Sequence, residues 1–485
     1  MFKWHDRKSD NFIVQLPEGR LEGGYKLSLS LRTHELHTGV GTNMETKLAR
    51  IAEIAKRQPQ EKFTSMYHLL NKELLRQCHE ELDPNKATGV DQVTKAKYAG
   101  QLEENLEDLV GRLKRKGYRP QPARRTYIPK DEKSKRPLGI AAYEDKIVQS
   151  ALNKVLQQIY EQDFLDCSYG FRPERSCHGA LIQLDQIIDK QSIQFIVDAD
   201  ISGFFNHVDH EWLLKFLTLR IGDPNILHLI RRMLKAGVQE EGRLEPTEEG
   251  TPQGSIISPL LANIYLHYVL DLWFEKRIKR QSRGKAFMVR YADDFVCCFQ
   301  YETDAKEFYE ALIQRLKEFN LSIAEEKTKI IRFGSYAEEW YKRNGGGRPS
   351  TFDFLGFTHY CSRNAKRTSF RVKRKTSAKK YKNKVKTFGI WMKQHRHEKL
   401  EILMATIRKK LTGHYRYYGI TDNHPNLVKF KREIEKALLK WLNRRSQKQS
   451  FNWESFNQFL KRNPLPEPRI YVNIYGKRKA KAFVQ

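Results

Sequence analysis

No Cys-x-x-Cys pair occurs in this chain of 485 residues, whose six cysteines are Cys78, Cys167, Cys177, Cys297, Cys298 and Cys361. That spacing excludes a zinc knuckle and offers no disulfide framework, so reduced and mostly buried thiols are expected. No apolar run approaches the roughly 18–20 residues that a membrane span needs. The opening Met1-Phe2-Lys3-Trp4-His5-Asp6-Arg7-Lys8 lacks the apolar stretch of a signal peptide. A cytoplasmic protein with no membrane partner is the expectation, in keeping with a mean hydropathy of −0.69. Acidic residues are also short: 58 Asp and Glu face 88 Lys and Arg, a net charge of +30. Such an excess asks for a polyanionic partner, and nucleic acid is the commonest one. A membrane surface is the weaker alternative, because no basic amphipathic terminal helix stands out.

What the chain does contain is two acidic strand ends. Phe287-Met288-Val289-Arg290-Tyr291-Ala292-Asp293-Asp294-Phe295-Val296-Cys297-Cys298-Phe299 reads as a β-hairpin with two carboxylates at its tip. A bare Asp-Asp pair is more often a solvated turn, but the apolar flanks would bury these stems. Adjacent like charges repel unless a cation lies between them. Gln194-Phe195-Ile196-Val197-Asp198-Ala199-Asp200-Ile201 is a second short strand running into acid. Two such strands can pool carboxylates around two metal ions, as in-line phosphoryl transfer requires. Mg²⁺ suits the ligands because it is hard and accepts a few carboxylates plus substrate phosphates; Mn²⁺ is a possible substitute. Asp198 and Asp200 are two residues apart and share a strand face, so periodicity does not choose between them.

Further motifs follow in a fixed order. Phe205 lies five residues after Asp200. Then come Thr251-Pro252-Gln253-Gly254-Ser255-Ile256-Ile257-Ser258-Pro259-Leu260-Leu261-Ala262-Asn263-Ile264 and Tyr291-Ala292-Asp293-Asp294. Together these resemble the palm of a reverse transcriptase. Upstream, Ile128-Pro129-Lys130, Arg136-Pro137-Leu138-Gly139-Ile140 and Tyr169-Gly170-Phe171-Arg172-Pro173 are similar to the fingers of the group II intron subfamily. Downstream, Phe354-Leu355-Gly356-Phe357 resembles that family's strand near the primer. The resemblance covers roughly residues 62–475.

It implies an α/β (α+β) fold: a right-hand polymerase with fingers, palm and thumb, followed by a helical, basic, maturase-like domain. It implies an RNA-directed DNA polymerase that extends a DNA or RNA primer on an RNA template with dNTPs, and that also binds structured intron RNA. Asp200, Asp293 and Asp294 become the metal ligands, and Asp198 a structural residue. Phe205, rather than Phe204, becomes the ring beneath the incoming sugar. Lys130 and Arg136 become candidates to hold the triphosphate, although surface charge is the default reading of both. Gln253 would place an amide near the nucleotide, and Gly254 would allow close backbone approach. Lys327 is the candidate to protonate the leaving pyrophosphate, with Lys329 equal to it by sequence. Arg172, Arg374, Lys375, Lys379, Arg444 and Arg445 are candidate RNA contacts. Ser255, Asn206 and Ala324 depart from the residues common in the family, and none removes a metal ligand. Many relatives end in an endonuclease with paired cysteines and histidines; with no cysteine after Cys361, that domain is expected to be absent. Two rival readings are a non-catalytic RNA-binding splicing factor and a domesticated or defence-associated reverse transcriptase. The oligomeric state is not legible.

Along the chain, residues 1–61 read as an extension, weakly structured to 43, with an amphipathic helix over 44–58 from Met44, Leu48, Ile51, Ile54 and Ala55. Residues 62–185 are the expected N-terminal segment and fingers, broken by a loop at Leu82–Asp91, and 186–370 the palm. Residues 371–386 carry nine Lys or Arg and no acid, which reads as a phosphate-tracking thumb helix within 371–411. Leu400, Leu403, Ile407 and Leu411 supply its core. Residues 412–485 are the expected maturase-like unit, with a helical stripe of Leu427, Phe430, Ile434, Leu438 and Leu442. There His414–Gly419 would stack on unpaired bases, an aromatic core patch being the alternative, and Arg444, Arg445 and Lys448 would meet phosphate.

Overall fold

The computed structural model describes residues 43–129, 135–445 and 451–475. The expectation for the first residues, Lys130 and Lys448 all lie outside them. The chain divides into two compact units. The first runs to Ser176 and adds Ala199–Phe295 and Thr303–Lys329; the second holds Cys177–Asp198, Val296–Glu302 and the chain from Ile330.

The first unit is built around the helix Tyr143–Asp163, whose Ile147, Val148, Ala151, Leu152, Val155, Leu156 and Ile159 are fully buried. The expected amphipathic helix forms over Asn43–Arg57 and packs on it. Met44, Ile51 and Ala55 face inward, while Glu45, Lys47, Arg50 and Glu53 stay in solvent. The expected loop at Leu82–Asp91 is present, and its Asp91 carboxylate accepts from the Tyr143 amide at 2.9 Å. That acceptor satisfies an orphan donor at the first turn of the long helix.

Asp145 lies on the same helix, almost wholly buried, and accepts from the Tyr118 hydroxyl and from the Gln121 amide at 3.0 Å. Burial pushes its carboxyl up to about 6, although both hydrogen bonds oppose the rise. A carboxyl raised on folding contributes stability that is full below its unfolded pKa and is lost as pH rises through the folded value. Stability should therefore fall between pH about 4 and about 6 through this group. Urea denaturation across that range should show a shallower slope in Asp145→Asn than in wild type; equal slopes would contradict the assignment.

Eleven strands occur among the described residues, in three sheets. The first joins β1 (Ala123–Pro129), β2 (Lys135–Ile140), β4 (Val238–Glu240) and β5 (Arg243–Glu245) in the order β2-β1-β4-β5. The second contains β3 (Phe195–Asp200), β6 (Ala286–Tyr291), β7 (Asp294–Phe299) and β8 (Lys329–Arg332) in the order β6-β7-β3-β8. The third orders β9 (Phe352–Phe354), β10 (Phe357–Arg363) and β11 (Phe370–Thr376) as β11-β10-β9.

In the second unit, β11 corrects the helical reading of 371–386. The run divides at Ser377, and a helix covers only Ala378–His395. Val372, Arg374 and Thr376 alternate inward, which is strand periodicity hidden under charge. Arg374 is fully buried in an ion pair with Asp185, so it is not an RNA contact. The helices Ala378–His395, Leu400–Tyr418, His424–Leu442 and Trp453–Arg462 share one core that includes Met392, Ile407, Leu411, Phe430, Ile434 and Phe456. The expected 411/412 boundary falls inside one of these helices. The expected 185/186 and 370/371 boundaries likewise cut the helix Cys177–Lys190 and the start of β11. His414 and Tyr415 are buried, with His414 stacked on Phe430 at 3.7 Å. The aromatic run is thus a core patch rather than a base-stacking face. No described helix is long and apolar enough to cross a membrane.

Candidate active site

The site forms at the C-terminal end of β3 and the tip of the β6–β7 hairpin. The apolar flanks make these strands: Ile196, Val197, Ala199, Met288, Val289, Phe295 and Val296 are all buried. The hairpin is as expected, with Ala292 and Asp293 as its turn. β3 and β7 are neighbours in the sheet, and the Gln194 amide donates to the Phe299 carbonyl at 2.9 Å. Only an antiparallel pairing lets two strands so anchored overlap along their lengths. Counting along the antiparallel strands from that pair sets Asp200 level with Asp293. The strands thus deliver carboxylates from two chain segments to one end of the sheet. Asp200, Asp293 and Asp294 are each half-buried.

The structure separates the two lysine candidates. Lys327 Nζ lies 2.9 Å from Asp200 Oδ2, whereas Lys329 begins β8 with an exposed side chain. The backbone supports that placement, since the Ala324 amide donates to the Asp200 carbonyl and the Lys327 amide to the Ala324 carbonyl. The two phenylalanines also separate: Phe204 is buried against Tyr265, and Phe205 is half-buried, edge-on to Phe204. The Phe205 carbonyl accepts from the Thr251 amide at 2.8 Å, tying the ring's backbone to the Thr251–Gly254 loop.

That loop meets β2. The Gly139 amide donates to the Gln253 carbonyl at 2.6 Å. Gly254 has φ +106°, and a Cβ there would stand 2.8 Å from the Gly139 carbonyl oxygen. The close approach expected of Gly254 is therefore to β2. The Ser255 hydroxyl donates to Gln149 Oε1 at 3.0 Å, so this departure from the common glycine anchors the loop to the long helix. Arg136 is half-buried on β2, in register with Ile128. Arg172 is a correction: its guanidinium is buried, pairs with Glu161 at 3.0 Å and donates to the Leu165 and Ser168 carbonyls. It ties a loop together and does not face RNA.

Sequence reasoning missed Arg290, the fully buried cation one residue before the tyrosine of the hairpin tip. The signal was a lone charge inside an apolar strand. It pairs with Asp271, which is also fully buried. Burial alone would lower the Arg290 pKa, and Asp271 more than offsets it, holding the value above the ordinary one.

Among the described residues, no three His, Cys, Asp or Glu side chains converge as a ready-made metal cage. The donor set still fits a divalent ion, because Mg²⁺-type sites take one or two carboxylates and complete their shell with water and phosphate.

In the second unit the helices Ala378–His395 and His424–Leu442 line a groove of about 480 Å³. Lys382, Lys386, Lys429, Arg432 and Lys436 surround it with a single acid, Glu433. Of the charges singled out by sequence, Lys375 and Lys379 are exposed, and Arg444 is exposed against the Trp441 ring. Arg445 instead donates to the Glu398 carbonyl at 2.9 Å.

Acidic strand ends set level, with an aromatic beside one of them, are the arrangement of a polymerase palm. Residues 128–359 match the reverse transcriptase (RNA-dependent DNA polymerase) family. The chain is similar to the group II intron-encoded protein LtrA of Lactococcus lactis subsp. cremoris, at 34% identity over 305 residues. That alignment covers 60% of this chain and 51% of LtrA, so the chain spans about half the length of this relative. Protein YkfC of Escherichia coli (strain K12) is 38% identical over 43% of this chain and 62% of its own length. A solved telomerase structure from Candida albicans aligns at 13% identity with a TM-score of 0.39, over 78% of this chain and 67% of that one. A likeness of that size does not define a fold.

Proposed function

We propose that this protein is an RNA-directed DNA polymerase that extends a DNA or RNA primer on an RNA template with dNTPs, and that it also binds a structured intron RNA to assist splicing and mobility. The observation that carries the polymerase reading is the level placement of Asp200 and Asp293, with Lys327 against Asp200. Asp200, Asp293 and Asp294 would hold two Mg²⁺ ions, with Mn²⁺ as a substitute. Bound there, such ions lower the pKa of an attacking hydroxyl and neutralise charge on the phosphates. Lys327 stands where it can give a proton to the departing pyrophosphate. Arg136 and Lys130 would hold the triphosphate, and Gln253 would orient the nucleotide. A non-catalytic splicing factor would have no need of this intact carboxylate set. In keeping with the cytoplasmic expectation, the protein would act in the cytoplasm.

Phe205 is proposed as the sugar gate, because its ring is half-exposed where Phe204 is spent on the core. Removing the ring should raise the rNTP:dNTP incorporation ratio by about 10–100-fold, the scale of discrimination by an apolar contact. Competition between matched dNTP and rNTP in the Phe205→Ala variant measures it. An unchanged ratio would remove Phe205 from that role.

The intron-RNA reading rests on the homology to intron-encoded proteins and on the five cations around the groove of the second unit.

A further inference from the structure

Arg290 is fully buried, and its guanidinium uses every donor it has. Nε donates to Asp271 Oδ1 at 2.7 Å, and Nη2 donates to Asp271 Oδ2 and to Ser168 Oγ at 2.8 Å. Nη1 donates to Asn263 Oδ1 at 3.1 Å and to the Ala292 carbonyl at 2.9 Å. A guanidinium has five N–H donors in a fixed planar fork, and here five acceptors meet them. Asn263 relays the network, its Nδ2 donating to the Gly170 carbonyl at 2.7 Å. The backbone closes it: the Arg290 amide donates to the Cys167 carbonyl, and the Tyr169 amide to the Arg290 carbonyl, both at 2.8 Å.

The contact with Ala292 is the one that reaches the chemistry. Ala292 has φ +56°, a left-handed conformation that a residue bearing a Cβ rarely adopts. Such strain persists only where the surroundings over-determine it. Here they do so from two sides. Gly170 lies against the turn so closely that a Cβ on it would stand 2.4 Å from the Ala292 nitrogen. Arg290 holds the Ala292 carbonyl, which belongs to the peptide unit that carries Asp293. Fixing that plane fixes the direction in which the Asp293 carboxylate leaves the turn. Asp271 sits in a stretch of wider, π-type helical turns, His267–Asp271, a local geometry often kept for function.

We propose that Arg290 is a positioning residue for the polymerase reaction: through the Ala292 carbonyl, with Asp271, Asn263 and Ser168 locking its fork, it sets the conformation of the Ala292–Asp293 turn and so aims Asp293. The catalytic part rests on the polymerase reading above; the clamp itself does not.

Two variants separate aiming from folding. Arg290→Met with Asp271→Leu replaces the buried pair by apolar groups, a change that often leaves stability unharmed, and it removes the hold on Ala292. Arg290→Lys keeps the charge and loses the fork. The expected result for the double variant is a melting temperature within a few degrees of wild type. Its kcat for primer extension should fall about 100-fold, the cost of a misplaced reacting group, with dNTP KM changed by less than about threefold. For Arg290→Lys, half-saturation by Mg²⁺ should rise while circular dichroism stays that of wild type. Should the double variant fail to fold, the lysine variant decides. Hydrogen–deuterium exchange at 292–294 reads the clamp without turnover, and it should quicken in the variants at the turn and not along β6. If wild type extends no primer, the polymerase reading has failed, and the exchange measurement still judges the clamp. A folded double variant with wild-type kcat, or exchange at the turn unchanged in both variants, would overturn the proposal.

Discussion

Replacing Asp293 by Ala should reduce primer extension by at least about 10³-fold, on the order of 4 kcal/mol of barrier. Asp293 sits at the turn of the β6–β7 hairpin, level with Asp200 on β3, so its loss opens the carboxylate set on one side. The substitution places a small side chain at a half-buried turn position, so the strands beneath keep their buried apolar residues and the fold should survive. RNA binding should persist, because the basic groove lies in the second unit and carries none of the site's carboxylates. Single-turnover extension and filter binding on the same preparation separate the two activities. Extension at wild-type rate would remove Asp293 from the site, and parallel loss of RNA binding would point to misfolding.

Replacing Lys382, Lys386, Lys429, Arg432 and Lys436 together by Gln should weaken binding of structured RNA by about 10²–10³-fold near physiological salt, and should flatten the salt dependence by up to about 3.5–4.5 in log–log slope. All five are exposed, so the fold should be little affected. Extension on a short generic primer–template should fall much less. Both activities must be measured at the same salt concentration, since each releases counterions. Equal losses would make the groove part of the general template grip. No loss in either would place the RNA surface elsewhere.

The parts of the site that local chemistry writes were legible. β3 and the β6–β7 hairpin follow from β-favouring residues ending in acid, and the helix Asn43–Arg57 from its apolar spacing. What failed depends on partners that only the fold brings together. Arg374 looked like one more surface charge in a basic run, and its burial depends on Asp185, 189 residues away. Arg172 looked like an RNA contact because Glu161 and the two carbonyls that hold it become its partners only after folding. Arg290 is the clearest case. Three of its four partner residues, Ser168, Asn263 and Asp271, lie 19 to 122 residues away, so a lone charge in an apolar strand gave no hint of which network it closes. The run His414–Gly419 failed differently. Aromatics interleaved with charge fit either a stacking face or a core edge, and the packing of His414 on Phe430 decides for the core. Domain boundaries drawn from composition cut through continuous elements, because charge changes along the surface without any break in the buried stripe beneath.

The most direct measurement is primer extension by the wild-type chain on a defined RNA template with an annealed DNA primer, Mg²⁺ and labelled dNTPs. The expected product is DNA extended to the end of the template, dependent on the divalent ion and lost in Asp200→Asn. A well-folded protein that binds the primer–template yet adds no nucleotide, with either Mg²⁺ or Mn²⁺, would contradict the polymerase reading.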